Sequence, residues 1–146
     1  MCDQAMMPPG CIASFPRRGC AFSFPGRRDQ VSRARAFVAQ FLGGHPAADD
    51  AVLLVSELCG NAITHSASGQ PGGFFILRAR AQGITHLLAE VEDNGSTWDG
   101  NLHAAQAPRG LFLVRQLATS CGTRPGHYGW ISWFTLTPAH HHQATR

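Results

Sequence analysis

The segment Val55-Ser56-Glu57-Leu58-Cys59-Gly60-Asn61-Ala62-Ile63-Thr64-His65-Ser66 constrains this chain more than any other. Most of it is apolar, so a helix built from it must be heavily buried. Yet Glu57, Asn61 and His65 recur at i, i+4 and i+8, with Thr64 beside them. At 3.6 residues per turn they fall within an arc of roughly 100°, one polar stripe on an otherwise buried helix. The stripe has two readings. It is the solvent face of an ordinary amphipathic helix, or a ligand or polar network meets it, because burying a carboxylate and a carboxamide without partners costs on the order of several kcal/mol. A hard cation suits the second reading. Mg²⁺ takes oxygen ligands, usually one or two from protein and the rest from phosphates and water. The Asn61 carbonyl oxygen would supply one, and Glu57 would polarise a water or an attacking hydroxyl. His65 is the weakest member, since a histidine at a helix end more commonly packs or caps.

The rest of the chain supplies the elements around this helix. Val31, Ala34, Phe37, Val38 and Phe41 recur at helical steps from Asp29, and Gly43-Gly44 with Pro46 ends that helix. The polar-striped helix starts near Asp49 or Asp50, either of which can cap it, and stops at Ser68-Gly69-Gln70-Pro71-Gly72-Gly73. Residues 74–81 and 85–92 read as a hairpin turned at Gln82-Gly83. Asp93-Asn94-Gly95 then makes a turn, residues 96–109 an irregular loop and residues 111–119 a third helix. A last hairpin, 121–124 with 129–136, turns around Pro125-Gly126. Residues 21–25 read as an edge strand. Residues 1–20 read as a flexible N-terminal tail, 21–137 as the domain and 138–146, with His140-His141-His142, as a polar C-terminal tail. Helices first and antiparallel strands after them predict an α+β fold, a two-layer sandwich with helices on one face of a mixed, mostly antiparallel sheet.

Composition excludes several functions. The chain has 146 residues, enough for one domain with one core, and 44% of them are hydrophobic. No apolar run reaches the roughly 18–20 residues of a membrane span, and no signal peptide is evident, so a cytoplasmic protein is expected. The net charge of +3 is mild and the arginines are scattered, so no nucleic-acid surface is indicated. All basic residues are Arg. Without a Lys there is no Walker A loop, no ordinary protein-kinase strand lysine and no Schiff-base nucleophile. The five cysteines include no CxxC, and Cys59 reads as core.

Two further segments bear on chemistry. Asp93-Asn94-Gly95 follows a strand directly. It is either a common Asx or type I turn, or a carboxylate placed to accept from the exocyclic amine of adenine. Gly110 opens a helix, where free N–H groups and the dipole suit phosphate oxygens, and Arg109 would add a bidentate contact. In order, the chain presents a polar-striped helix, a strand ending in Asp-x-Gly, a loop and a Gly-led helix.

Residues 55–66, 91–95 and 109–118 resemble the N, G1 and G2 boxes of the GHKL ATPase superfamily. Arg-Gly-Leu-x-Leu-Val-x-x-Leu-Ala and the closing Gly129-Trp130-Ile131-Ser132-Trp133-Phe134-Thr135-Leu136 are most similar to its anti-sigma-factor serine/threonine kinase branch. The resemblance covers roughly residues 22–136 and implies the Bergerat fold, with ATP and Mg²⁺ as cofactors. It implies Glu57 as general base, Asn61 as magnesium ligand and Asp93 as adenine anchor. Gly95 would shape the adenine pocket, and Gly110 with Leu111 would donate amides to phosphate. Such proteins bind a sigma factor and phosphorylate an antagonist protein on serine or threonine, and related regulators suggest a homodimer. Thr97 and Pro108 stand where the family's boxes have glycine, and Pro cannot donate an amide. The alternative is therefore a non-catalytic module with a degenerate ATP site that regulates a partner by docking. A detached histidine-kinase catalytic domain ranks last.

Overall fold

In the computed structural model, Phe75, Leu77, Ala79 and Ala81 are buried at alternate positions, while Arg80 and Gln82 between and beyond them are exposed. A period of two places the buried four on one face of a strand. The structure describes residues 11–13, 17–83, 86–95 and 110–137. Along them run β1 (Cys11–Ala13), β2 (Arg17–Pro25), α1 (Gln30–Leu42), α2 (Ala48–His65), a 3-10 turn (Ala67–Gly69), β3 (Phe74–Gln82), β4 (His86–Glu92), α3 (Gly110–Leu117), β5 (Ser120–Pro125) and β6 (Trp130–Leu136). The strands form one sheet in the order β1-β2-β3-β4-β6-β5, and every described ladder is antiparallel.

The three helices form a layer on one face of this sheet, α1 over β2 and β3, α2 over β4, and α3 against α2 and β5. The two-layer α+β sandwich expected from the element order is the observed architecture. Its core joins Phe37, Val38 and Phe41 of α1 and Leu54, Val55 and Leu58 of α2 to Phe75, Leu77, Leu87, Val91 and Phe134 of the sheet. Fully burying a side chain of this size contributes about 1.5–3 kcal/mol. Cys59, completely buried among them, is a core thiol, and desolvation pushes its pKa far above the ordinary value. The opposite face of the sheet is ionic. Arg78 reaches Glu92 at 2.7 Å and Glu90 at 3.9 Å, and Arg124 reaches Glu90 at 2.6 Å.

Local details differ from expectation in two places. Neither Asp49 nor Asp50 caps α2: Ala47 occupies the cap without a side-chain hydrogen bond, and both carboxylates lie in the first turn. There they still face the positive end of the helix dipole. The strand expected at residues 21–25 begins at Arg17, and it is not an edge, because β1 pairs outside it. Residues 11–13 and 17–20, read as tail, are therefore strand. Ladder pairing uses only main-chain N–H and C=O groups, so this segment joins the sheet without the apolar alternation that would have marked it. Arg109, Thr97, Pro108 and the expected tails at 1–10 and 138–146 lie outside the described residues.

Candidate functional site

The polar stripe of α2 divides when its surroundings are seen. Asn61 and His65, with Leu58 and Ala62, line a small cavity between α2 and the sheet. Val91 and Asp93 join from the end of β4, Leu111 from α3 and Ser132 from β6. The cavity measures about 10 Å³, space for about one water. The Asn61 amide nitrogen is buried and finds no hydrogen-bond partner among the described residues. A buried polar atom of this kind is rare and calls for a ligand or water. Rotating the carboxamide by half a turn would exchange its oxygen and nitrogen at that position. Glu57, one turn earlier, is half-buried, does not line the cavity and has no hydrogen bond or ion pair with a described residue. His65 is exposed at the helix end.

Asp93 is only 8% exposed. Its Oδ1 accepts the N–H of Gly95 at 2.7 Å and that of Trp130 at 3.0 Å, while its own N–H donates to the Trp130 carbonyl at 2.9 Å. No hydrogen bond between described residues uses Oδ2. Burial pushes the Asp93 carboxyl above its ordinary value, and the Glu92 carboxylate beside it adds to this; the two N–H donors oppose but do not cancel the rise. Gly95 has φ of +80°, a left-handed conformation that glycine adopts without strain. The turn is also pressed from the β5–β6 side. A Cβ on Gly129 would overlap the Gly95 nitrogen and both the carbonyl oxygen and Oδ1 of Asp93.

Of the residues singled out from sequence, Asn61, His65, Asp93 and Leu111 come together around one space, with Gly95 shaping the turn beside it and Gly110 opening α3 next to Leu111. Glu57 lies on the same helix outside the lining. Ser132 and Trp130 were not foreseen. Ser132 reaches the cavity because β6 pairs Ser132 with Val91, and Trp130 acts through its main chain. A strand serine and a backbone amide carry no sequence signal; only strand register brings them to the site.

The donor set suits a magnesium ion held chiefly by phosphates and water. Among the described residues no three His, Cys, Asp or Glu side chains cluster to hold a metal by themselves. Asn61 would hold such an ion through its carbonyl oxygen, with phosphates and water supplying the remaining ligands.

A buried carboxylate and a carboxamide thus face one cavity between a helix layer and an antiparallel sheet, with the start of α3 alongside. The family model of the histidine kinase-like ATPase domain matches residues 24–130, and the chain belongs to that family. It is thus an ATP-binding protein of the GHKL type. No curated protein matches the sequence. Among the described residues no helix is long and apolar enough to cross a membrane.

Proposed function

We propose that this chain is a cytoplasmic regulator of the anti-sigma-factor type, which uses Mg²⁺-ATP to phosphorylate a serine or threonine of an antagonist protein. The observation that carries the reading is the convergence of Asn61 and Asp93 on one cavity, with the N-terminus of α3 beside it. In this reading adenine donates its exocyclic amine to Asp93, Asn61 offers its carbonyl oxygen to the magnesium ion, and the amides of Gly110 and Leu111 receive phosphate oxygens. Magnesium, when bound, neutralises charge on the phosphates. Glu57 takes the proton of the acceptor hydroxyl as its oxygen attacks the γ-phosphorus; the bond from that phosphorus to the bridging oxygen breaks, and ADP leaves.

Nucleotide sites measure about 300–1,000 Å³, so binding has to widen the cavity. The similarity of residues 109–118 to the anti-sigma kinase branch supports the finer assignment of partner. A second reading, an ATP-binding module that regulates by docking without catalysis, draws support from Glu57, which stands outside the cavity lining.

Calorimetry with Mg²⁺-ATP and transfer of label from γ-labelled ATP to an antagonist protein separate the two. The kinase reading expects micromolar-range binding, abolished in Asn61→Ala, and label transfer lost in Glu57→Ala with binding retained. Binding without any Glu57-dependent transfer would leave the docking module.

A further inference from the structure

The segment Ser66-Ala67-Ser68-Gly69-Gln70-Pro71-Gly72-Gly73 reads in sequence only as a helix breaker. Its structure is more specific than a change of direction requires. Ser68 is completely buried, and its Oγ accepts the N–H of Asn94 at 3.0 Å. One residue earlier, the Ala67 N–H donates to the Gly95 carbonyl at 2.7 Å. Two consecutive residues thus grip the Asp93-Asn94-Gly95 turn. The same loop is fastened to α2. Ser66 Oγ donates to the Ala62 carbonyl at 2.5 Å and accepts the Ser68 N–H at 3.0 Å. From the other side, Asn94 Oδ1 accepts the Phe74 N–H at the start of β3, at 2.8 Å.

Glycines make this packing sterically possible. A Cβ on Gly26 or Gly73 would run into the Ser68 carbonyl oxygen, and one on Gly69 into the Ile63 carbonyl oxygen of α2. Gly26 and Gly73 are themselves joined by a hydrogen bond of 2.9 Å. Chain segments from β2, α2 and β3 therefore close on Ser68, and its hydroxyl points out of that knot onto the residue next to Asp93.

We infer that Ser68 is a positioning residue for base recognition: it locks the Asp93 turn to the end of the helix carrying Asn61, and so holds the adenine anchor in register with the phosphate end of the site. This rests on the nucleotide reading above. Its consequence is specific. Adenine offers an amine to the Asp93 carboxylate, whereas guanine presents a carbonyl oxygen at the corresponding position, and two acceptors repel. Discrimination of this kind depends on where the carboxylate stands, because a shifted acceptor no longer meets the base edge. The phosphates are bound elsewhere and do not sense the shift.

The test is calorimetric titration of the full chain with Mg²⁺-ATP and with Mg²⁺-GTP, in the native protein and in Ser68→Ala. The native protein is expected to prefer ATP. In Ser68→Ala the ratio of the two dissociation constants is expected to fall about tenfold, through weaker ATP binding with GTP binding nearly unchanged. Circular dichroism before titration establishes that the variant is folded; should it melt too early, Ser68→Cys, similar in shape and a weaker acceptor, carries the same expectation. An unchanged ratio, or a proportional weakening of both nucleotides, in a native background that does select ATP would overturn the positioning role alone. A native protein that binds neither nucleotide would overturn the nucleotide reading and this inference with it.

Discussion

Asp93 holds a carboxylate in a place that resists charge. Its environment raises the pKa by burial, and only two main-chain N–H groups, both on Oδ1, offset that. A carboxyl whose folded pKa lies above its unfolded one stabilises the fold least when ionised, so its contribution declines as pH rises through the folded value. Asn at this position would still accept both N–H groups through its oxygen, would remove the desolvated charge, and would turn an NH₂ donor toward the space where an amine is to bind. Asp93→Asn is therefore expected to melt no lower than the native protein at neutral pH without nucleotide. Its affinity for Mg²⁺-ATP is expected to drop about tenfold or more. Thermal denaturation and calorimetry on the same sample check both halves, and a variant that loses stability and affinity together would mark Asp93 as merely structural. The carboxylate itself was legible from its place at the end of a strand before Gly95. Its burial was not, because the residues around it come from α2, α3 and β6, far away along the chain.

At the scale of elements, α2 is the part most fully written in the sequence. Its apolar positions recur with helical spacing, and Ala51, Leu54, Val55, Leu58, Cys59 and Ala62 are the residues it buries. The interruption is Gly60, in the middle of the helix and directly before Asn61. A glycine there costs about 1 kcal/mol relative to alanine, and a Cβ at this position meets no described atom within 4 Å. Gly60→Ala is expected to raise stability by about 0.5–1 kcal/mol, read as a higher denaturation midpoint in urea. A destabilised variant would overturn the reading of Gly60 as a plain helix-propensity cost. The stripe of Glu57, Asn61 and His65 was legible as a stripe, but helical spacing assigns all three to one side and cannot say how far the cover extends. Sheet and α3 reach Asn61 and leave His65 exposed and Glu57 outside the cavity.

Across the whole molecule, the ionic face of the sheet is tied to the site on the other side through consecutive residues. Glu92, almost fully buried, accepts from Arg78 at 2.7 Å and from the Tyr128 N–H at 2.6 Å, and the next residue is Asp93. Burial alone would raise the Glu92 pKa, but the Tyr128 N–H and the Arg78 guanidinium outweigh it and hold the carboxyl below its ordinary value of 4.5. The sign of the linkage follows. A depressed folded pKa contributes stability that is fully present above the unfolded value and is lost as pH falls through the folded one. Glu92→Gln is expected to be about 1–3 kcal/mol less stable than the native protein at pH 7, and the gap is expected to close as pH is lowered below about 4.5. Denaturant melts at pH 7 and near pH 3 measure it; a gap that stays constant would exclude the charged form as its cause.

The sequence by itself determined the class of fold and the identity of the principal polar residues. Helical and alternating periodicities are local consequences of backbone geometry, and a carboxylate, a carboxamide and a glycine must be present as residue types for the chemistry to exist. Tertiary structure decided which of them face one another. The register of β4 with β6 brought Ser132 and the Trp130 amide to Asp93, the knot at Ser68 fastened the turn to α2, and main-chain pairing drew residues 11–13 and 17–20 into the sheet. These contacts are made by backbone groups and by side chains far apart along the chain, and nothing in a local pattern encodes a distance between residues that only folding brings together.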